Sequence, residues 1–503
     1  MTVGAHRAQA LIVAGIGLGL ALRLAALWAA PRFGYVPDHR DSMAWSSWAA
    51  THGVQTIYDM EPALVPLRQV ATDPHTNLPA TYLVLAPHAY NYPPFSAWMF
   101  WLKGKLWHAL DSDVRTIPVP PGLRDAFERH GFPMTVRFPT VNTYLARAID
   151  AAPSFFFDVV LAVGVLRLVR VLRRARPEAL AGAAGFALVL ASPVVILDAG
   201  LWGQSDSWIA SMLVWCLVWL LQGRWVAAGA VYGLALTTKP QAILFAPVVA
   251  FGLLALRYRR GGSWKQVASA LRGIPAAALV VAAVAAPFMA HDAQSGAGAW
   301  RWFQRSYLGT IGSEEYAYTT LNAFNLWWLD LVAQRPSDAS WWRLLDSHAP
   351  SLIRLSKDAA GALLLVLAIG AGAVECARRL HWSDTACVKF AFVVLLSAFL
   401  LPTRVHERYV YYCIPFVTAL AVDRRAWRWV LVAMSAVGTA EMLSHLFVSA
   451  SPESFAVSGT AALVAVAVLP WSYGVIAQGA EGGVAETGAA APSPPAGGAE
   501  GKV

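Results

Sequence analysis

Two acidic residues stand three positions apart just after the first long apolar run of the chain. They belong to the segment DHRD, residues 38–41, which is followed by Trp45 and Trp48. A carboxylate beside an apolar segment can serve as a general base. Asp is also a common helix N-cap, because its carboxylate accepts the unpaired N–H bonds of a helix start, and residues 41–50 read as an amphipathic helix beginning near Asp41. Both interpretations of Asp41 stay open, with Asp38 as a nearby rival for the role of base.

Two further segments carry positive charge where apolar runs meet. The segment PTRVHERY, residues 402–409, contains Arg404, His406 and Arg408, and Lys239 stands between two apolar runs in TTKPQ, residues 237–241. The planar fork of arginine donors suits phosphate. A lysine between apolar runs needs an anionic partner or water. These residues are therefore candidates for binding a phosphate.

The remaining candidates are polar or aromatic. Tyr92 precedes two prolines that fix an extended turn, and it could line a site while the prolines only lead into the Trp-rich stretch 95–110. Gln204 and Asp206 lie in LWGQSDS, residues 201–207, where Ser205 or Asp206 could instead be a helix cap. An amide, a hydroxyl and an acid together are more polarity than a cap needs.

Asn325 and Trp328 lie in a later segment rich in tryptophan, residues 322–328. Tryptophan is typical of membrane interfaces, where it anchors the protein. Its aromatic face also packs against sugar rings, so these two residues are candidates for an acceptor groove.

Composition shows what kind of molecule must position these groups. Of 503 residues, 57% are hydrophobic and 14% are charged, and the mean hydropathy is +0.49. Soluble domains carry about 25% charged residues. A soluble enzyme, a disordered regulator and a disulfide scaffold are therefore excluded, and the net charge of +9 reflects basic loops between apolar runs rather than a nucleic-acid partner. The four cysteines show neither disulfide nor zinc spacing.

The first apolar run, residues 8–30, is longer than the ~7–15-residue core of a signal peptide, so we interpret it as a first spanning helix with a cytoplasmic N-terminus. A cleaved signal is the alternative. Arg23 lies inside this run. It either extends to the interface or faces an anionic ligand, and the sequence favours neither.

About twelve spans follow from the length rule of ~20 residues per span, although several runs are short. The pair 224–238 and 240–256 could be one broken element. The later runs lie at about 153–171, 179–197, 207–222, 224–238, 240–256, 267–290, 358–377, 386–402, 409–421, 427–447 and 455–477.

Basic clusters set the orientation. Counted from an inside N-terminus, the Arg- and Lys-rich segments 167–176, 257–265, 378–379 and 424–428 all fall on the cytoplasmic side. The long polar segments 31–152 and 291–357 then lie outside the cytoplasm, and all candidate residues other than Arg23 share that face. The sequence predicts an all-α integral membrane protein over residues 1–478, with interfacial helices in long outer loops, and a disordered cytoplasmic tail over 479–503.

Together these motifs resemble the GT-C glycosyltransferases, the multi-spanning enzymes that use polyprenyl-phosphate-linked sugars. The chain is most similar to the dolichyl-phosphate-glucose-dependent glucosyltransferases of N-glycan assembly and their prokaryotic relatives. The resemblance covers about residues 8–450. It rests on the spacing from Asp41 to Trp48 and on the segments NYPP (91–94), WGQSD (202–206), NAFNLWW (322–328) and HERY (406–409).

The resemblance implies roles for individual residues. It makes Asp41 the catalytic base, with Asp38 as rival, and associates His406 and Arg408 with the donor phosphate. Gln204 and Asp206 would lie in the wall of the active site. No metal or other cofactor is expected.

The expected activity is transfer of a sugar, with inversion, from a polyprenyl-phosphate donor to a hydroxyl of a lipid-linked glycan or cell-envelope polysaccharide. Expected partners are membrane lipids, the donor and the acceptor, without nucleic acid. The alternatives are a lipid-linked sugar transporter or flippase without chemistry and a protein O-mannosyltransferase. The expected location is a prokaryotic plasma membrane, with both termini cytoplasmic.

Overall fold

The computed structural model describes residues 3–60, 64–70, 80–85, 89–110, 115–118, 135–138, 143–174, 179–259, 261–309, 319–321, 323–334, 346–351, 354–447 and 452–478. The predicted tail, 479–503, lies outside the described residues, as does Asn322 of the tryptophan-rich segment.

Every one of the twelve apolar runs forms helix. Each lies in one helix or in two consecutive helical segments. The helices are α1 (Val3–Phe33), α2 (Val36–His52), α3 (Pro94–Leu110), α4 (Tyr144–Leu172), α5 (Ala179–Leu190), α6 (Pro193–Leu197), α7 (Asp206–Leu221), α8 (Trp225–Leu236), α9 (Ala246–Tyr258), α10 (Trp264–Ala270), α11 (Gly273–Gln294), α12 (Arg301–Phe303), α13 (Leu326–Gln334), α14 (Lys357–Leu380), α15 (Asp384–Leu400), α16 (Ile414–Ala421), α17 (Arg425–Phe447) and α18 (Pro452–Gln478).

Five helical segments of the described chain are long and apolar enough to cross a membrane, and a bent pair over 179–202 makes a sixth if it counts as one span. Other runs give shorter helices that lie inside the bundle: α7 has 16 residues and is buried along nearly its whole length. Other helices expose large apolar side chains on the surface of the bundle. Trp28 on α1, Leu279 on α11 and Val366 on α14 are 67%, 70% and 66% exposed, as expected for helices against a bilayer. The predicted multi-pass helical class is confirmed.

The long polar segment 31–152 contains the helices α2 and α3, and they pack closely. A Cβ atom at Gly104 would lie 1.9 Å from the Ser46 carbonyl oxygen, so only glycine allows this approach. The start of α2 differs from the prediction: it begins at Val36 rather than near Asp41, because Pro37 occupies its first turn, where proline is favoured.

Two small hairpins in the same loop were not predicted. In the first, β1 (Leu64–Val70) pairs antiparallel with β2 (Ala80–Leu85). In the second, β3 (Arg115–Pro118) pairs antiparallel with β4 (Thr135–Phe138). They add a minor strand component to a fold that is otherwise helical in the described residues.

The chain reverses direction at Lys239. The Tyr232 hydroxyl on α8 donates to the Ala242 carbonyl at 3.2 Å, so the segments before and after the turn run side by side. Pro240 disfavours helical geometry at the residue before it, and Lys239 is extended, with φ −144° and ψ 145°. The runs 224–238 and 240–256 are therefore two antiparallel segments, and the alternative of one broken element is wrong.

Two hydrophobic cores hold the molecule together. The larger lies among the bundle helices, with α4, α7, α15 and α16 contributing most of its buried side chains. The smaller is rich in aromatic residues and packs α2 and α3 against the C-terminal half of α11, where Trp45, Tyr90, Phe100 and Phe288 are buried. This second core holds α2 and α3 at one end of the bundle.

Candidate active site

Asp38 and Asp41 both lie on the wall of one small cavity at the end of the bundle that carries α2 and α3. Its volume is about 40 Å³, room for roughly one water molecule. The cavity is lined by Asp38, Asp41, Ser42, Trp45, Tyr92, Phe100, Lys103, Gly203, Gln204 and Ser205. Three segments singled out in the sequence therefore meet here: residues 38–41, the turn at Tyr92 and the segment 201–207.

Neither acid of α2 is the N-cap of this helix. The N-cap position is Tyr35, whose side chain makes no capping hydrogen bond, and Asp41 lies in the second turn. The N-cap interpretation of Asp41 is therefore wrong. Tyr35 itself stays a neutral phenol, because burial and the nearby carboxylate of Asp38 raise its pKa to about 12.

Asp38 accepts hydrogen bonds from the 201–207 segment. Its Oδ2 atom accepts from the indole N–H of Trp202 at 3.0 Å and from the amide of Gln204 at 2.6 Å. The same oxygen lies 3.5 Å from Nη1 of Arg408. Asp38 therefore has a fixed position between the α6–α7 turn and the 402–409 segment.

Asp206 is the anionic partner that Lys239 was predicted to need. Its Oδ1 atom accepts from Nζ of Lys239 at 2.6 Å and from the Tyr412 hydroxyl, and its Oδ2 atom lies 3.5 Å from Nε of Arg408. Asp206 is the first residue of α7, but Ser205 in the N-cap position makes no side-chain capping bond. The charge of Asp206 thus serves an ion-pair cluster rather than a helix cap.

Arg408 is the centre of this cluster. Its Nη1 atom lies 2.8 Å from Glu407 and 3.5 Å from Asp38, and Asp206 lies on its other side. Burial alone would lower the pKa of Arg408, but the surrounding carboxylates outweigh burial and hold its pKa above the usual value. A permanently charged guanidinium therefore adjoins the cavity.

The turn that contains Tyr92 is joined to the turn that contains Lys239. The backbone N–H of Phe95 donates to the Thr237 carbonyl at 2.6 Å, and the Ser96 hydroxyl donates to the Thr238 carbonyl at 2.6 Å. The ring of Tyr92 lies 5.6 Å from Nζ of Lys239. Burial raises the pKa of Tyr92, so it contributes a neutral hydroxyl beside the lysine.

Arg404 contacts a different acid, Asp358, and His406 lies beside Glu407. Arg404 donates to Asp358 at the start of α14 at 2.9 Å and to Ser347 at 3.2 Å. His406 is partly exposed, with Nδ1 3.6 Å from Glu407, and the backbone on either side of it pairs with Leu321. The structure brings Arg408 and Lys239 together, while Arg404 belongs to a separate cluster.

Neither Asn325 nor Trp328 is among the residues that line the cavity. The Oδ1 atom of buried Asn325 accepts from the backbone N–H groups of Trp327 and Trp328 at 3.1 and 3.2 Å. This is N-cap geometry for α13. Trp328 packs on Phe324, with ring centroids 5.4 Å apart.

Sequence reasoning missed Asp150, which lies in the N-terminal part of α4 and contacts two residues that line the cavity, Ser42 and Lys103. Its carboxylate is fully buried and contacts His39, Ser42 and Lys103. Burial alone would raise the pKa of Asp150, but Lys103 and His39 outweigh burial and lower it. An acid at the edge of the apolar run 153–171 was the available signal, because charges at such positions are functional by default.

Arg23 has a partner inside the helix bundle, which neither interpretation of the sequence anticipated. Its Nε and Nη2 atoms donate to Oδ2 of Asp158 at 2.9 and 2.7 Å, and both side chains are buried. Asp158 is a residue of α4. Arg23 is thus paired within the bundle, joining α1 to α4, and neither extends to the interface nor faces a ligand.

No protein-family model matches the chain, and no curated protein matches it. Among solved structures, the chain is similar to the oligosaccharyltransferase of Archaeoglobus fulgidus in its apo form, with 14% identity and a TM-score of 0.39, over 93% of this chain and 56% of that one. It is also similar to ArnT from Cupriavidus metallidurans in the apo state, with 14% identity and a TM-score of 0.43, over 94% of this chain and 78% of that one. The chain spans 56% of the archaeal enzyme's length.

Proposed function

We propose that this protein is a GT-C glycosyltransferase that moves a sugar from a polyprenyl-phosphate donor to a hydroxyl acceptor, with inversion, on the extracytoplasmic face of a prokaryotic plasma membrane. The observation that carries the proposal is the cavity itself. Carboxylates of α2 line it, and the cations of Arg408 and Lys239 lie beside it. A base next to an anion-binding cluster is what displacement of a phosphate leaving group needs.

Asp41 fits the base better than Asp38. In an inverting displacement, the base works on the side of the anomeric carbon opposite the leaving oxygen. Asp38 lies 3.5 Å from Arg408, hence on the side where the phosphate would bind, and its Oδ2 atom already accepts from Trp202 and Gln204. Asp41 lies one helical turn farther along α2, on the wall of the same cavity. We therefore assign proton abstraction to Asp41 and orientation of the cations to Asp38.

The reaction then balances without another reagent. Asp41 takes the proton of the acceptor hydroxyl as its oxygen bonds to the anomeric carbon. The bond from that carbon to the phosphate oxygen breaks, and polyprenyl phosphate leaves with the electron pair. Arg408 and Lys239 stabilise the developing anion. The phosphate would take over donors that Asp38 and Asp206 now occupy, so these acids hold the cations in place before the donor binds.

The position of the site suits a lipid-linked donor. Lys239 and Asp206 stand at the ends of membrane-embedded helices, whereas Asp41 stands on the interfacial helix α2. A prenyl chain could stay among lipids while its phosphate reaches this boundary. Polar groups at one end of the bundle also favour chemistry over transport, because transporters usually place theirs near the midplane.

The test is sugar transfer by purified protein in nanodiscs, with a panel of polyprenyl-phosphate sugars and release of polyprenyl phosphate as the readout. We expect Asp41→Asn to lower turnover by ~10²–10⁴-fold, the usual contribution of a general base, while donor binding persists. Asp38→Asn should mainly weaken donor binding. Asp423→Asn is the matched control, because Asp423 also pairs with an arginine, Arg173, at the opposite end of the bundle.

Each other outcome has a definite meaning. If Asp38→Asn is the variant that binds donor without turnover, the site stands and the base assignment is wrong. Transfer to a protein rather than a glycan would identify an O-mannosyltransferase type of reaction. If wild-type protein consumes no donor but moves labelled lipid across the bilayer, the enzyme proposal fails and the transporter replaces it. The expected independence from metal stays a prediction, which added chelator would check.

A further inference from the structure

The buried carboxylate of Asp150 accepts from three side chains of two other helices. Its Oδ2 atom accepts from Nδ1 of His39 at 2.6 Å, and its Oδ1 atom accepts from the hydroxyl of Ser42 at 2.5 Å and Nζ of Lys103 at 2.6 Å. Nζ of Lys103 also donates to the Ser42 hydroxyl at 2.8 Å. One carboxylate from α4 thus joins α2 to α3.

The two α2 residues that Asp150 contacts are neighbours of the two cavity acids. At 3.6 residues per turn, His39 and Ser42 lie about 60° apart around the helix axis, and Asp38 and Asp41 occupy the adjoining arc of about 60°. A contact to His39 and Ser42 therefore fixes the rotation of α2. That rotation decides whether the acids face the cavity.

Asp150 also packs against the turn that carries Gln204. Gly203 has φ +75°, and a Cβ atom there would lie 2.7 Å from Oδ2 of Asp150. Gln204, the next residue, donates to Asp38. The Asp150 carboxylate therefore contacts the part of α2 that carries Asp38. It also lies against the turn at Gly203, next to the Gln204 amide that donates to Asp38.

We propose that Asp150 is a positioning residue, which through His39 and Ser42 holds α2 in the rotation that directs Asp41 and Asp38 into the cavity. The inference rests on the proposed function for its kinetic consequences, although the geometry it describes does not. A purely structural ion pair with Lys103 is the competing explanation. The two explanations differ in what happens when both members of the pair are neutralised.

The first experiment compares Asp150→Asn, Lys103→Met and the double variant in the nanodisc assay. The single Asp150→Asn variant leaves Lys103 buried without its counter-ion and should lose thermal stability. The double variant should recover stability, but its turnover should stay about 10²-fold low, the effect of displacing a catalytic group by about 1 Å. The KM for donor should rise as well, because Asp38, which lies 3.5 Å from Arg408, is carried on the same part of α2 as Asp41. Recovery of turnover together with stability would overturn the proposal.

A matched control comes from the same helix. Arg23→Met with Asp158→Asn removes the other buried ion pair of α4, which joins α1 rather than α2. We expect this double variant to retain turnover within about threefold. An equal loss of turnover in both double variants would mean that any disturbance of α4 impairs the enzyme, and Asp150 would have no special role.

The second experiment needs no activity. Asp41→Cys gives a thiol on the cavity wall, and Thr51→Cys gives an exposed thiol at the end of α2. The four native cysteines are buried and give little background. Adding Asp150→Asn and Lys103→Met should change maleimide labelling at position 41 severalfold and leave labelling at position 51 unchanged. Unchanged labelling at position 41 would refute the positioning role, whereas failure of wild-type protein to use any donor would refute only the proposed function.

Discussion

Two arginines of one short segment have different surroundings. Arg408 lies between Asp38, Asp206 and Glu407 beside the cavity, whereas Arg404 donates to Asp358 at the start of α14. The sequence places them only four positions apart, and either could have bound a phosphate. Arg404 has a left-handed backbone conformation, with φ +59°, which is uncommon for a residue with a side chain and which the sequence does not signal.

This difference predicts unequal effects of the same substitution. Arg408→Lys keeps the positive charge but loses the planar fork of donors, so we expect kcat/KM for the polyprenyl-phosphate donor to fall by at least about tenfold. Arg404→Lys is the matched control and should lower kcat/KM by less than about twofold. Steady-state kinetics in nanodiscs measures both. Equal losses would mean that the donor phosphate extends to Arg404 and Asp358.

At the residue scale, the sequence could identify charged groups but not their pairing. Lys239 at the break between two apolar runs predicted an anionic partner, and Asp206 provides it. Nothing in either segment identifies the other, because 33 positions separate them and their contact depends on how α7 and α8 pack. Asp150 was missed for a related reason: its partners belong to α2 and α3, about a hundred and about fifty positions earlier.

Helix ends decide the roles of the residues near them. Asn325 was a candidate for substrate binding, yet its side-chain oxygen accepts from two backbone N–H groups in the first turn of α13. A buried N-cap satisfies donors that no other group of the helix can satisfy. The sequence analysis did not recognise Asn325 as an N-cap, because the tryptophans that follow it suggested a membrane anchor or a sugar-binding groove.

The cap predicts a stability effect without a binding effect. Asn325→Ala should lower the free energy of unfolding by about 1 kcal/mol, while Asn325→Ser, which can still cap, should cost only a few tenths. Thermal unfolding in detergent compares the two variants. The KM for donor should match wild type in both. A raised KM in the serine variant, at unchanged stability, would return Asn325 to the substrate site.

The sequence predicts the helices of the apolar runs more accurately than the elements of the long polar segments. Long apolar runs fix where helices lie, and Pro240 correctly marks the end of one segment and the start of another. The start of α2 was placed too late because Asp41 looked like a cap, while Pro37 was the stronger signal. The hairpins β1–β2 and β3–β4 lie in a polar segment rich in charged residues and proline. This composition hides the alternation of apolar and polar residues that would predict a strand.

Several helices bring charged side chains to the same end of the bundle. Asp38, Arg408, Asp206 and Lys239 come from different helices and connections, yet they lie in a continuous series of contacts, and Asp150 is buried next to them against His39, Ser42 and Lys103. If the N-terminus is cytoplasmic and each apolar run crosses the membrane once, all five residues lie at one face of the membrane. The four basic segments then lie at the other face. The spatial cluster agrees with that counting, because residues at opposite ends of a bundle could not meet.

The counting also predicts which face is outside, and cysteine labelling can test this prediction in whole cells. Ser295, just after α11, should be extracytoplasmic, and Lys265, at the start of α10, should be cytoplasmic; both are exposed. A membrane-impermeant maleimide should therefore label Ser295→Cys in intact cells and Lys265→Cys only after permeabilisation. The native cysteines are buried, so they add little signal. The reverse pattern would place the cavity on the cytoplasmic side, where a soluble nucleotide-linked sugar could reach it, and the case for a lipid-linked donor would lose its topological support.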